Sequence, residues 1–409
     1  MNTIGIISEY NPYHTGHGFL LDQALRLTGA DHAVSVMSGC FSQQGSPMVL
    51  DKYLRAQAAA AAGVDLVFEL PVIYATGSAR DFAEGAVALL TRLGIVNTLC
   101  FGAEDPDDAL FRRITDCILE EPALYRDTLL SRQKAGESYP SAREDALAAV
   151  LGDTIRLILQ RPNNILALEY HLAIRRFESP LKTCMIRRST DYHSGITASA
   201  TSIRNHMTAL CEAGDASSIR PYLHRVLPPS VAEVLDPEAE HFLLSSDVLT
   251  PYLAARLLEL PEDPETFRLP MGMTAELYHR LKKLSLPSDY ASIVEGLKRR
   301  NETRGRVTRS LLHLILGIRE SDRVNPAKAP ALYLNLLAAR NGSTHLLRSL
   351  PEESALTVIT KKSSYLPEDP KAKRMWELDR KAAGLYGQLV FDSFGTVLPG
   401  ELRRTPVIV

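Results

Sequence analysis

The chain has 409 residues, more than a single hydrophobic core usually organises, which predicts two or three domains. Apolar residues at 45%, charged residues at 23% and a formal net charge of −2 are ordinary for a globular protein and exclude an affinity for polyanions spread over the whole surface. Any binding to a polyanion must therefore come from a local cluster of basic residues.

Short apolar runs alternate with helical patterns through the first half of the chain. Strands are predicted over residues 3–7, 32–37, 65–70, 98–101 and 183–186. Helices are predicted over residues 17–27, 52–62 and 79–93, with helical insertions over residues 107–160. This alternation is typical of βαβ units and predicts an α/β fold with a mostly parallel sheet.

The character of the sequence changes after about residue 216. Prolines punctuate short helical stretches there, and strand-like runs disappear until the extreme C-terminus. We expect a boundary near residues 215–230, which divides the chain into domains 1–220 and 221–409. The second domain is predicted to be mainly α-helical.

The N-terminus and the cysteines indicate the compartment. Met1 leads directly into a short apolar run, without the basic region and cleavage site of a signal peptide. No stretch approaches the ~20 apolar residues that a membrane span needs. The five cysteines form no Cys-x-x-Cys pair, which argues against a disulfide framework and a zinc ribbon. We expect a cytoplasmic protein with reduced thiols and no membrane contact.

The turn after the first predicted strand carries the strongest chemical signal. The strand ends at Tyr10-Asn11-Pro12, and a helix is predicted to begin at or just after His14-Thr15-Gly16-His17. A helix N-terminus at this edge of a parallel sheet offers free backbone N–H groups to a phosphate. His14 and His17 would share one helix face and both donate to a polyphosphate. Alternatively, they are surface or capping histidines; no metal site is predicted, because no third ligand is nearby.

The segment from Tyr10 to His17 resembles the His-x-Gly-His signature of the nucleotidyltransferase superfamily, which is related to the class I aminoacyl-tRNA synthetases. The segment from Ser199 to Arg204 resembles its second phosphate-binding motif, with Ala200 in place of a serine. Further segments are similar to the bacterial tRNA(Met) cytidine acetate ligases: residues 36–39, 41–45, 63–71, 101–104, 161–166 and 189–193. The similarity is close up to about Arg204 and weaker through residues 308–314.

The resemblance implies a Rossmann-like nucleotidyltransferase domain and a two-step reaction. ATP and acetate would form acetyl-adenylate, and the acetyl group would pass to the wobble cytidine of elongator tRNA(Met), with Mg²⁺ as an expected companion of ATP. The catalytic residues would be His14, His17 and Arg188. The implied ATP-binding residues are Ile7, Ser8, Glu9, Tyr10, Asn11, Pro12, Tyr13, His14, Thr15, Gly16, His17, Gly18, Phe19, Leu20, Gly102, Asn163, Arg187, Arg188, Ser199 and Thr201.

Several polar residues near these motifs have two interpretations. Lys52 and Arg55 would either reach a phosphate or the tRNA, or solvate a helix face. Glu69 would line the cleft or cap its strand. Asn163 would bind the ligand or act only as a helix N-cap. Cys40 is expected to be a small buried apolar residue rather than a nucleophile.

The second half contains a basic segment with six cations and one acid in twelve residues. These cations are the candidates for contact with an RNA backbone, unless they simply solvate a helix face: Lys298, Arg299, Arg300, Arg304, Arg306 and Arg309. A more dilute basic patch surrounds Trp376, which would either stack a base or belong to the core. A homodimer is compatible with the sequence, which leaves the oligomeric state open.

Two other functions remain open on the sequence. One is a small-molecule nucleotidyltransferase that transfers an adenylyl group to a phosphorylated acceptor, although such enzymes have little use for a basic C-terminal part. The other is a non-catalytic protein that binds tRNA or a nucleotide, against which the intact His14, Gly16, His17 and Arg188 argue.

Overall fold

A computed structural model describes residues 1–188, 199–262, 268–284, 286–299, 302–326, 333–350 and 356–409. Within these residues one sheet contains eight strands: β1 (Thr3–Ser8), β2 (His32–Ser38), β3 (Leu66–Leu70), β4 (Thr98–Ala103), β5 (Lys182–Arg187), β6 (Tyr333–Ala339), β7 (Thr357–Ile359) and β8 (Val407–Ile408). The order is β5-β4-β1-β2-β3-β6-β7, and β8 also pairs with β6. The first five strands are mutually parallel, as predicted.

Helices of the first half connect and cover these strands. They are α1 (Thr15–Thr28), α2 (Lys52–Ala61), α3 (Val72–Ala75), α4 (Ala79–Leu93), α5 (Asp108–Glu120), α6 (Ala123–Lys134), α7 (Tyr139–Leu151), α8 (Thr154–Leu159) and α9 (Pro162–Arg176). The five predicted strands, the three predicted helices and the predicted helical insertion are thereby confirmed.

The second half is mainly helical, as predicted. Its helices are α10 (Ala200–Glu212), α11 (Ile219–Val226), α12 (Pro229–Leu235), α13 (Thr250–Leu258), α14 (Ala275–Lys282), α15 (Tyr290–Leu297), α16 (Arg304–Leu316), α17 (His345–Arg348) and α18 (Pro370–Phe394). In the described part of the chain, no helix has both the length and the apolar character needed to cross a bilayer.

The expectation that strands disappear before the extreme C-terminus is wrong for β6 and β7. All seven residues of β6 are buried, and the strand runs antiparallel to β3. A short apolar run buried on both faces shows neither the strand nor the helix period, so periodicity does not identify it. The boundary near residues 215–230 stays a prediction, but both parts of the chain contribute strands to one sheet.

Two apolar clusters cover the two faces of the sheet. Leu66 and Phe68 of β3 point into one cluster, which includes residues of α4, α9, α16 and α18. Val67, between them, points into the other, which includes residues of α1, α2 and α10 to α12. Since both faces are covered, the carboxyl ends of the parallel strands are the place where a ligand can reach the backbone of this fold.

Candidate functional site

The turn between β1 and α1 lies at the carboxyl edge of the sheet, and two histidines close it. His14 is the N-cap of α1, and its Nδ1 accepts a hydrogen bond from the Gly16 backbone N–H (N–Nδ1 3.0 Å). The backbone N–H of His14 donates to Nδ1 of His17 (3.2 Å). A Cβ at position 16 would lie 2.8 Å from Cε1 of His14, so this close cap requires glycine. The capping interpretation is correct, and no described residue bonds to the other ring nitrogen, Nε2, of either histidine.

The hydrogen bonds of the cap and the burial of the rings determine the tautomer and the protonation state of both imidazoles. Because each Nδ1 accepts a backbone N–H, the neutral rings carry their proton on Nε2. Burial lowers the pKa of His14 to about 4, and the charges of Arg188 and Arg204 act in the same direction. Burial, His14 and Arg188 hold the pKa of His17 well below its usual value. The ring centroids are 4.0 Å apart, so the turn presents two neighbouring neutral Nε2–H donors.

Two tyrosines and an asparagine fix the shape of the turn. The ring of Tyr10 meets that of His17 edge-on at 5.0 Å, and the ring of Tyr13 lies 5.3 Å from it. Tyr10 has a φ of +46°, a backbone conformation that costs about 1–3 kcal/mol and persists only where the surroundings enforce it. Asn11 Oδ1 accepts from the Val49 backbone N–H (2.8 Å). The turn is therefore packed and hydrogen-bonded before any ligand binds.

The ends of β4 and β5 form the opposite side of this edge. The Arg188 side chain lies over Gly102, where an added Cβ would come within 2.9 Å of Arg188 Cγ. Its Nη1 donates to Asn163 Oδ1 (2.9 Å), and Asn163 Nδ2 donates to Glu104 Oε1 (2.5 Å). Asn163 lies in the first turn of α9, whose N-cap is Arg161, so the N-cap interpretation of Asn163 is wrong. Arg187 donates to the Glu104 carbonyl oxygen (3.1 Å).

The second motif starts α10, as predicted, and reaches the first through one arginine. Ser199 is the N-cap, and its Oγ accepts from the Ser202 backbone N–H (3.1 Å). Arg204 Nη1 donates to the carbonyl oxygen of Asn11 (2.7 Å), and its Nη2 donates to Thr201 Oγ1 (3.1 Å). Arg204 is absent from the predicted site residues, although it ends the second motif. The similar segment at 189–193 lies outside the described residues.

The comparison with known proteins assigns the family of this arrangement. The sequence profile of the family described as HIGH Nucleotidyl Transferase matches residues 1–396. The chain is 34% identical over 398 residues to the tRNA(Met) cytidine acetate ligase of Thermoanaerobacter sp. (strain X514), which covers 94% of this chain and 95% of that protein. The chain belongs to the tRNA(Met) cytidine acetate ligase family.

Further relatives agree with this assignment, which confirms the resemblance seen in the sequence. The tRNA(Met) cytidine acetate ligase of Acetivibrio thermocellus is 32% identical over 399 residues, which is 94% of each chain. The crystal structure of Thermotoga maritima TmcAL bound with alpha-thio ATP superposes with a TM-score of 0.86 at 28% identity and covers 100% of this chain and 99% of that one. The apo form I structure of that protein gives a TM-score of 0.87 at 27% identity and covers 100% of both chains.

Four residues near the family motifs have structural roles in this member. Lys52 is buried and bonds to both oxygens of Glu69 (2.8 and 2.7 Å) and to Glu401 Oε1 (2.9 Å). Arg55 is buried and donates to four backbone carbonyls, including that of Glu9 (2.6 Å). Both side chains are buried, so the interpretation that they solvate a helix face is wrong. Their contact with a phosphate or the tRNA stays a prediction.

Glu69 has neither of the two roles predicted for it, whereas the prediction for Cys40 is confirmed. Asn335 Nδ2 of β6 donates to Glu69 Oε2 (2.6 Å), so Glu69 belongs to a buried polar cluster and neither lines the cleft nor caps the strand. Cys40 is buried as predicted, and burial raises the pKa of its thiol.

Three cations of the basic segment are exposed and adjoin the helical insertion. Lys298, Arg299 and Arg304 line a groove of about 630 Å³, together with Ser138, Glu295, Glu302 and Thr303. Glu295 pairs with both Lys298 and Arg304. Arg300 lies outside the described residues. The segment and the insertion thus form one concave surface.

The other described cations of the segment are hydrogen-bonded within the protein, and the tryptophan of the second basic patch is buried. Arg306 Nε donates to the Gly272 carbonyl oxygen (3.4 Å), and Arg309 Nη1 to that of Gln43 (3.4 Å). Trp376 is buried and packs edge-on against Tyr333 and Tyr365. The core interpretation of Trp376 is therefore correct, and base stacking by it is not.

Proposed function

We propose that this chain is an ATP-dependent ligase that activates acetate as acetyl-adenylate and transfers the acetyl group to the N4 amine of the wobble cytidine of elongator tRNA(Met). The names of its relatives and the ATP analogue bound by the Thermotoga maritima structure support this function. The observation that carries the proposal is the pair of neutral Nε2–H imidazoles at the sheet edge, opposite Arg188. A cytoplasmic location, where ATP and tRNA occur together, belongs to the same proposal.

The first step needs stabilisation of charge on a phosphate. An acetate oxygen attacks the α-phosphorus, negative charge grows on the nonbridging oxygens, and pyrophosphate leaves. His14 and His17 donate through Nε2–H, the positive end of the α1 dipole lies at the same turn, and Arg188 supplies positive charge. Two consecutive hydrogen bonds, from Arg188 to Asn163 and from Asn163 to Glu104, hold the Arg188 guanidinium in place. The site therefore needs no reorganisation as the charge develops.

We also propose that Mg²⁺ binds together with ATP. In such sites Mg²⁺ takes most of its ligands from phosphates and water and needs one or two carboxylates at most. Among the described residues, no group of three or more His, Cys, Asp and Glu side chains could hold a metal ion. The described residues therefore fit a Mg²⁺ ion that is held mainly by the ATP phosphates, and they do not fit a metal site formed by protein ligands alone.

The second step uses the adenylate as a leaving group. Free acetate does not acylate an amine, because its departing oxygen would be a poor leaving group, whereas AMP leaves readily. The cytidine must therefore reach the carboxyl edge of β1. We propose that the RNA backbone lies along the groove of Lys298, Arg299 and Arg304, with Arg306 and Arg309 of α16 as further contacts. Arg300 belongs to the same predicted set and lies outside the described residues.

The direction of α16 supports this path. Ser138 and Thr303, which both line the groove, are the N-caps of α7 and α16, so two helix N-termini face it. Five residues along α16 from Arg304, Arg309 reaches the Gln43 carbonyl, and the Gln43 backbone N–H donates to Glu9 Oε1 (2.6 Å). The groove and the ATP turn are therefore joined by one helix and one loop.

The test combines two measurements on purified protein. ATP–pyrophosphate exchange should require acetate, and nucleoside analysis after adding elongator tRNA(Met) should show N4-acetylcytidine. Exchange that depends on a phosphorylated acceptor would favour a small-molecule nucleotidyltransferase. Binding of ATP without pyrophosphate release with any carboxylate would favour a non-catalytic protein.

A further inference from the structure

Acetyl transfer to an exocyclic amine needs a proton acceptor, and the histidines of the turn cannot serve. The amine nitrogen must lose a proton as it bonds to the acetyl carbon, and a positioned base contributes about 10²–10⁴-fold to such a step. In His14 and His17, Nδ1 already accepts a backbone N–H, and Nε2 carries the proton. The base must therefore be another group at the same edge.

Three carboxylates follow the strands at this edge. Both oxygens of Glu104 accept hydrogen bonds, one from Asn163 Nδ2 and one from the Asn164 backbone N–H (3.0 Å). Asp105 Oδ2 accepts from Arg161 and Asn164 (both 2.9 Å). Asp105 is also held in an ion pair with Arg161, whereas Glu9 forms no ion pair with a described residue. The Oε1 of Glu9 accepts from the Gln43 backbone N–H, and no described residue donates to its Oε2. Glu9 thus offers a fixed carboxylate with one oxygen available.

Glu9 also links the turn with the paired histidines to the loop that packs against α16. It directly follows β1 and precedes the turn with the paired histidines. The loop that holds its Oε1 is packed against α16: Thr308 Oγ1 donates to the Gln44 carbonyl (2.5 Å), and a Cβ on Gly45 would lie 2.8 Å from the Arg309 backbone nitrogen. An RNA bound along the basic segment would approach the adenylate across this loop, past the carboxylate.

The surroundings of Glu9 make its carboxylate more basic than an exposed one. Burial raises the pKa of Glu9, while the Gln43 hydrogen bond and the charges of Arg204 and Arg55 partly oppose that shift. Among the described residues, Tyr170 of α9 is a further titratable neighbour, and burial together with Glu9 raises its pKa, so it stays neutral. A carboxylate with a raised pKa is a stronger base than an ordinary surface carboxylate.

We propose that Glu9 is the general base of acetyl transfer, an assignment that rests on the proposed function. Oε2 accepts the proton of the cytidine N4 amine as the nitrogen lone pair forms a bond to the acetyl carbon. The bond between that carbon and the adenylate oxygen breaks, and AMP leaves with the electron pair. Glu9 then returns the proton to solvent after the products separate.

The test compares E9Q with wild type in both half-reactions. The amide oxygen can still accept the Gln43 N–H, so the loop keeps its hydrogen bond. We expect single-turnover acetyl transfer to fall about 100-fold and acetate-dependent ATP–pyrophosphate exchange to fall far less, so that acetyl-adenylate accumulates in the presence of tRNA. The transfer rate of wild type should rise with pH through the titration of Glu9, and that dependence should be lost in E9Q and retained in E9D.

E104Q is the matched control, because it makes the same chemical change on the other side of the cleft. It loosens Asn163 and Arg188, and we expect exchange and transfer to fall together. If E9Q also loses both steps equally, or transfers at the wild-type rate with an unchanged pH profile, the assignment of the base is overturned while the ligase function stands. If wild type forms no N4-acetylcytidine, both proposals fail. Binding of an ATP analogue by E9Q checks that the variant is folded.

Discussion

Arg204 donates a hydrogen bond to the backbone carbonyl of Asn11 (Nη1–O 2.7 Å), and this contact joins the start of α10 to the turn before α1. The two residues are 193 positions apart. Without it, the Asn11 carbonyl would lose its charged donor, and the turn could separate from the N-terminus of α10.

We expect Arg204→Ala to weaken binding of an ATP analogue about 10-fold or more, because a hydrogen bond to a charged group contributes about 1.5–3 kcal/mol. Titration calorimetry measures this directly. Arg220→Ala removes an exposed arginine of α11 and should leave the affinity unchanged. Equal affinity of the Arg204 variant and wild type would show that the two motifs do not depend on each other.

His14→Asn separates the capping role of His14 from its proposed ligand role. Asparagine is a good N-cap, so the free energy of unfolding at pH 7 should change by less than about 1 kcal/mol. Asparagine has no donor at the position of Nε2, so acetate-dependent pyrophosphate exchange should be lost. A variant that is stable and still active would remove His14 from the mechanism.

The lowered pKa of His14 also predicts a pH dependence of stability. The ring titrates near pH 4 in the folded protein and near 6.5 when unfolded, so below pH 6.5 the unfolded chain binds the extra proton. Its contribution to stability is present above pH 6.5 and is lost as the pH falls towards 4. His171 and His313, whose pKa burial also lowers to about 4, act in the same direction.

Thermal unfolding measured from pH 7 to pH 4.5 checks this prediction. The melting temperature of wild type should fall over that range, and the fall should be smaller in His14→Asn, which has no titrating ring. An identical decline in both proteins would mean that His14 is protonated or solvated in the folded state.

The buried ion pair between Lys52 and Glu69 should matter more than any surface pair. Lys52→Met leaves Glu69 and Glu401 without their cation, and an unpaired buried charge costs about 3–5 kcal/mol. Denaturant unfolding measures the loss, with Arg80→Ala as the control, since the exposed Arg80–Glu84 pair should contribute less than about 1 kcal/mol. Similar losses in the two variants would contradict the buried network.

The turn and the two helix starts were predictable from the sequence because their signals are local. His14 and Gly16 are two residues apart, and Ser199 caps a helix that begins at the next residue. Lys52 was not predictable, since its partner Glu401 is 349 positions away. Arg309, at the far end of the basic segment, likewise contacts Gln43 only through tertiary packing.

Strand β6 was not predictable for the same reason, because tertiary packing determines its structure. Its leucines and alanines favour helix as much as strand, and only its place between β3 and β7 makes it a strand. Asn335 of this strand donates a hydrogen bond to Glu69. The buried position of the Glu69 carboxylate was therefore not predictable either.

Replacement of Arg299, Arg300 and Arg304 by alanine should weaken tRNA binding and flatten its dependence on salt, since each lost phosphate contact reduces the slope by about 0.7–0.9. Filter binding over a salt series measures this, and acetate-dependent exchange should persist. The control removes three cations elsewhere, at Lys371, Lys373 and Arg380, which are exposed on α18. Equal weakening by the control would mean that total charge, rather than this groove, sets the affinity.

A crystal structure of the protein soaked with alpha-thio ATP tests the central claim most directly. We predict phosphate oxygens within hydrogen-bonding distance, about 3 Å, of Nε2 of both His14 and His17, with Arg188 on the opposite side. A triphosphate bound away from these two imidazoles would contradict the account.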